Sequence, residues 1–166
     1  PSPVIVCEGP TDNIYLRHAI KRLATSYPAL ASGTPPKLSV RLFKYGQRRT
    51  SEVTQLTGGV GGLCHLLKHY HTDFTNKIKA PAPKYPVIVL VDNDAGAKDI
   101  YGAISGITKQ KRPTGAEQFI RVVGNMYVVP TPLGTGGAKT AIEDFFDAKT
   151  LGEKLGTKTF SRAPKF

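Results

Sequence analysis

The chain has no tryptophan, one methionine and two cysteines in 166 residues. No apolar stretch nears the ~20 residues a membrane-spanning helix needs, and no secretory signal is visible. Two cysteines do not make a four-ligand zinc site alone, and the nearby histidines are poorly spaced to help. Cys7 falls in a predicted strand and Cys64 in a predicted helix, which fits buried, reduced thiols of a cytosolic protein. Negative charge is also scarce. Twelve acidic residues face 23 basic ones, for a net charge of +11 and a pI near 9.8. Such an excess serves solubility alone or a polyanionic partner, whose phosphates release counterions to Lys and Arg. The length is that of one ordinary domain, able to bury a core without disulfides or a structural metal. The chain opens Pro-Ser-Pro without an initiator Met and stops after a polar stretch, so a piece of a longer polypeptide is expected.

The few acids are not scattered. Six of the twelve sit in three places: Glu8 and Asp12, Asp92 and Asp94, and the pair Glu143-Asp144. Val4-Ile5-Val6-Cys7 runs into Glu8, and Val87-Ile88-Val89-Leu90-Val91 runs into Asp92 and Asp94. Asp92 and Asp94 flank one residue, so in extended chain they point the same way. Two carboxylates that close repel, and a divalent cation with a taste for hard oxygen removes the conflict. The plain alternative is a polar turn with a helix cap. Capping explains Asp12 but not Glu8, which ends an apolar strand where burial without a partner is costly.

The apolar pattern alternates strand and helix. Strands are predicted over 3–7, 38–45, 86–91 and 126–129, with a further short one over 119–123. Helices are predicted over roughly 12–26, 61–72, 97–107 and 139–148. This order implies an α/β fold: a mostly parallel sheet of about four strands flanked by helices, with right-handed crossovers. In such sheets the site lies at the carboxyl ends of the strands. Glu8 and Asp92 both fall there, although 84 positions separate them. Residues 1–148 are expected to form the domain, and 149–166 a basic polar tail without packed structure, leading into a further segment.

Other features carry two readings each. Gly134-Thr135-Gly136-Gly137-Ala138-Lys139-Thr140 fails as a phosphate loop, because Ala138 precedes Lys139 and the loop follows a late strand. It is either a plain glycine connection or, with Lys139 and the next helix N-terminus, a cradle for a scissile phosphate. The glycines at 58–62 serve anion capture or close helix–sheet packing. His65 and His69 share a helix face and permit a metal pair, but no third ligand is evident, so exposed histidines are expected. Lys44, Arg48 and Arg49 flank a basic turn where Tyr45 could stack on a base. Tyr15 and Tyr101 sit in helix patterns near the core and are not expected to be nucleophiles.

Glu8-Gly9-Pro10-Thr11-Asp12, the later Asp92-Asn93-Asp94 and the strand–helix order between them resemble the TOPRIM domain over roughly residues 3–148. More narrowly, the strings from Val4 to Tyr15, Leu56-Thr57-Gly58-Gly59, Pro86 to Asp94 and Ile142-Glu143-Asp144-Phe145-Phe146 are similar to the TOPRIM module at the carboxyl end of some retron reverse transcriptases. The resemblance implies a Mg²⁺-dependent endonuclease, with Mn²⁺ as a substitute. Glu8 would be a metal ligand or general acid/base, Asp92 and Asp94 the metal-binding pair, and Asp12 the second acid of the nuclease form of the first motif. Glu143 would be a later ligand, with Asp144 an equally placed competitor. It further implies a toxic effector in antiphage defence, restrained by a fused or bound reverse transcriptase and its RNA-linked DNA. RNA is slightly favoured over DNA as substrate. One departure stands: Gly96 follows Asp94 by two residues where the family often has a glycine at three, which leaves the course of that turn open. The rival class is a non-catalytic module of the same fold that grips nucleic acid or a polymerase.

Overall fold

The computed structural model describes residues 2–45, 56, 58–81 and 83–152. In chain order its elements are β1 (Val4–Val6), α1 (Pro10–Arg22), β2 (Ala31–Ser32), β3 (Lys37–Leu38), β4 (Arg41–Leu42), α2 (Gly59–Asn76), β5 (Val87–Val91), α3 (Ala97–Thr108), β6 (Ile120–Val123) and β7 (Met126–Pro130). Two 3₁₀ turns follow, Thr135–Gly137 and Ile142–Phe145, and then α4 (Ala148–Gly152).

The continuous apolar runs become strands covered on both faces, as parallel sheets require. On β5, Val87, Val89 and Val91 join one core cluster while Ile88 and Leu90 pack against another. On β1, Val4 and Val6 face the first cluster, and Ile5 and the following Cys7 the second. The main sheet has the order β4-β1-β5-β7-β6, and only the β6–β7 pair is antiparallel. The expected mostly parallel α/β sheet is thus present, with five strands where about four were expected. The short strand foreseen over 119–123 is the added antiparallel edge.

Helices cover both faces. On one side, Leu16 and Ile20 of α1 meet Ile5, Cys7 and Leu42. On the other, Leu63 and Leu67 of α2 and Ile100 and Ile104 of α3 meet Val89, Val91, Met126 and Val128. This is a doubly wound, Rossmann-like arrangement. Cys7 is fully buried and Cys64 half-buried, both as free thiols. Among the described residues, no helix is long and apolar enough to cross a membrane.

Two expected elements are corrected. The strand over 38–45 is split, because its two ends serve different partners. β3 pairs with β2 in a separate antiparallel hairpin, whereas β4 pairs with β1. The helix over 139–148 does not form. Thr140 is held in an antiparallel bridge to Asn93, and Phe146 is extended, so only the 3₁₀ turn Ile142–Phe145 fits between them. Helical structure resumes at α4, which reaches into the stretch foreseen as an unstructured tail.

Candidate active site

β1 and β5 are neighbours in register, with Val6 opposite Val89. Continued past the strand ends, that register brings Glu8 to within one residue of Asp92, on chains ~4.8 Å apart. α1 begins at Pro10, so Asp12 lies in its first turn, where its Oδ2 accepts the Gly9 N–H at 2.7 Å. The third acidic segment is tied in by a backbone donor: Ile142 N–H gives to Asp92 Oδ1 at 2.9 Å, and Glu143 follows directly. Asp144 instead turns back to accept the Ala141 N–H at 2.7 Å. The charge of Glu143 reaches both Asp12 and Asp92.

A residue the sequence did not single out organises this edge. Asn93 is 4% exposed. Its amide nitrogen donates to the carbonyls of Gly115 (2.6 Å) and Thr131 (3.0 Å), and its Oδ1 accepts the Tyr101 hydroxyl at 3.0 Å. Its backbone N–H reaches both Thr140 O (2.8 Å) and Thr131 Oγ1 (2.9 Å). With Asn93 anchored inward, Asp92 and Asp94 on either side are left to the opposite face. The Asn93–Thr140 bridge also sets Ala141 opposite Asp92 and Lys139 opposite Asp94. Asp94 is exposed, and its Oδ1 accepts the Gly96 N–H at 2.7 Å, which fixes the turn into α3. Gly96 is needed there: a Cβ would stand 2.7 Å from Val60 Cγ2 in the first turn of α2.

The acids act on one another. Burial first, then the charges of Asp94 and Asp12, hold the Glu8 carboxyl above its ordinary range. Asp12 is raised by burial and by Glu143, against the opposing pull of the Gly9 N–H. Asp92 is pushed up to about 7 by burial and by Asp12, Glu8 and Glu143, despite the Ile142 N–H. Among the described residues, no Lys or Arg makes an ion pair with any of these five carboxylates. The arrangement is therefore short of positive charge, in a protein with an excess of it. Also among the described residues, no group of three or more His, Cys, Asp and Glu is arranged so as to hold a metal ion.

No family model matches the chain, and no solved structure matches it significantly.

The remaining expected residues divide. Lys139 is exposed, one residue before Thr140. Lys44 is exposed two residues beyond β4, while Arg48 and Arg49 lie outside the described residues. The glycine loop is not an open cradle at its closing turn. The N–H groups of Gly134, Gly137 and Ala138 are spent on Ala138, Gly134 and Thr135 carbonyls within the loop. At 58–62, Gly59 N–H binds the Glu8 carbonyl at 2.8 Å and Val60 abuts Gly96, but a Cβ on Gly59 or Gly61 would meet nothing within 4 Å, so close packing does not account for those two glycines. Tyr45 is not free to stack on a base, because its hydroxyl binds the Cys7 carbonyl and its ring meets Phe43 edge-on at 5.2 Å. His69 is exposed as expected, but His65 and His71 are half-buried, and the His65 and His69 rings lie 4.0 Å apart. Tyr101 is in the core, bound to Asn93, and Tyr15 packs on Phe146 at 5.2 Å.

Proposed function

We propose that the chain is a Mg²⁺-dependent nuclease that hydrolyses phosphodiesters, with Glu8, Asp92 and Asp94 as its principal carboxylates and Asp12 and Glu143 supporting them. The observation that carries this reading is the meeting of three acidic segments at one sheet edge, through the β1–β5 register and the Ile142–Asp92 hydrogen bond. The donor set suits Mg²⁺ or Mn²⁺, since every candidate ligand is a hard oxygen. A preformed protein triad is not required: Mg²⁺ commonly keeps several waters and is held by one or two carboxylates plus substrate phosphates. When bound, such an ion offsets phosphate charge and acidifies water.

The chain's own groups then have distinct tasks. Asp92 has Oδ1 committed to Ile142 N–H, which leaves Oδ2 for the cation. Glu8, with its proton affinity raised, is suited to take up and return a proton near the scissile bond. Asn93 keeps the two aspartates oriented through its own buried hydrogen bonds. Lys139, opposite Asp94 in the bridge, is placed to offset charge on the leaving oxygen. The resemblance to TOPRIM modules of retron reverse transcriptases supports the same chemistry. It extends the proposal to a toxic effector, RNA-directed, restrained by the polymerase and its RNA-linked DNA.

The open arrangement of the carboxylates favours a second reading, a module that grips nucleic acid or polymerase without cutting. Cleavage of labelled single-stranded RNA and DNA, with Mg²⁺ or with EDTA, separates the two. The nuclease cuts only with metal, and Glu8→Ala and Asp92→Ala each lower the rate about 100-fold or more. Wild-type protein that binds but never cuts, with binding unchanged in Asp92→Ala, overturns the enzyme.

A further inference from the structure

A second charged feature lies beside the carboxylates, and its sign is opposite. An open groove of about 680 Å³ runs between α1 and the β3–β4 segment. Arg17 and Lys21 line one wall, four residues apart and so on one face of α1. Lys37, Arg41 and Lys44 line the other. Among the described residues, no carboxylate lines the groove, and none of these five cations is in an ion pair. Leu38, Val40 and Leu42 give it an apolar floor.

The end of the groove at Phe43 and Lys44 lies next to the first acidic segment. Asn13, the neighbour of Asp12, donates from Nδ2 to the Phe43 carbonyl at 2.6 Å, joining the two walls at that end. Tyr45, next to Lys44, is bonded to the carbonyl of Cys7, the residue before Glu8. From Asn13 to Lys21, α1 advances ~12 Å. Arg17 and Lys21 thus follow one another along α1 away from Asp12, with Lys37, Arg41 and Lys44 on the wall that faces them. Unpaired cations on two facing walls match a polymer with regularly repeated anions, and the site next to the groove is read above as one for phosphodiesters. A flat anionic membrane would not need positive charge on both walls of a concavity.

We propose that this α1–β4 groove binds the phosphate backbone of a single-stranded nucleic acid and leads the strand to the carboxylates. The inference deepens the nuclease reading and rests on it for the identity of the polyanion.

The test uses the full chain and a fluorescein-labelled 20-nucleotide single-stranded RNA, in EDTA so that nothing is cut. Arg17→Gln/Lys21→Gln/Arg41→Gln is expected to weaken binding about tenfold or more, and to reduce the slope of log affinity against log salt by about 2, at ~0.7 per lost phosphate contact. The charge-preserving Arg17→Lys/Lys21→Arg keeps wild-type affinity. In the wild-type chain, independently of any variant's folding, bound RNA is expected to shield Lys21, Lys37 and Lys44 from acetylation, read by mass spectrometry. Unchanged affinity and slope in the triple variant, or unshielded lysines, overturns the groove. Equal affinity for anionic phospholipid vesicles or polyglutamate at the same salt overturns the nucleic-acid assignment. The two readings fail separately. Groove-dependent RNA binding by a chain that never cuts sinks the nuclease alone. Cutting that needs Asp92, with RNA binding indifferent to the triple variant, sinks the groove alone.

Discussion

Asn93 joins four parts of the chain through one side chain and one peptide, and its removal strands several buried groups at once. In Asn93→Ala the Tyr101 hydroxyl and the Gly115 carbonyl each lose a partner in a place water does not reach easily. Leaving buried polar groups unmet costs more than the bonds were worth when made. We expect Asn93→Ala to lose about 2–4 kcal/mol of stability in urea unfolding; a change below about 0.5 kcal/mol would mean the network is not structural. Asn93 escaped sequence reading for a physical reason. Between two aspartates it reads as a spacer, and its partners Gly115, Thr131 and Thr140 are 22 to 47 positions away. Glu8 was legible because capping does not explain a carboxylate that ends an apolar strand, and Asp92 and Asp94 because two acids one residue apart follow a second such strand. The choice between Glu143 and Asp144 was not, since adjacent residues are told apart only by the turn they occupy.

At the scale of elements, the helix starts are packed against one another around the acidic edge. The decisive contact is Gly96 at the start of α3 against Val60 in the first turn of α2. Gly96→Ala drives a methyl group to 2.7 Å from Val60 Cγ2, a distance side chains do not tolerate. The helices must part, at a cost of about 1–3 kcal/mol, typical of overpacking. Val60→Ala removes the obstructing atom, so the double variant is expected to regain most of that loss in thermal melts. If Gly96→Ala is neutral, or Val60→Ala fails to rescue it, the two starts are not in close contact. Strands β1, β5 and β7 were legible from continuous apolar runs, and α2 and α3 from helical spacing. The stretch 139–148 was not, because one β-bridge to Asn93 overrides a pattern that locally favours helix. The division of 38–45 between two sheets was hidden likewise, since alternation reports that a segment is extended but not which neighbour it pairs with.

At the scale of the whole molecule, the crowded carboxylates make no ion pair with Lys or Arg among the described residues, which ties stability to pH and to divalent cations. Asp92 rises from an ordinary value of 3.8 to about 7 in the fold, through burial and then Asp12, Glu8 and Glu143. Folding therefore favours its protonated form. That contribution is complete below pH 4 and disappears as pH climbs through 7. Glu8 and Asp12 are shifted in the same direction. In EDTA, the melting temperature is expected to fall between pH 5 and pH 8. Asp92→Asn is the control. It keeps an acceptor for Ile142 N–H, removes one like charge, and should flatten the decline and raise the pH 8 melting point. Adding 10 mM Mg²⁺ at pH 8 should do the same to the wild type. For a Kd of about 1 mM, mass action contributes roughly 1.4 kcal/mol, or about 3–6 °C for a domain of this size. Differential scanning fluorimetry reads all of these. A wild-type melting point indifferent to Mg²⁺ at pH 8 would remove the cation from the proposal. A pH trend unaltered by Asp92→Asn would mean that the crowding of charge around Asp92 is not what the protein's stability responds to.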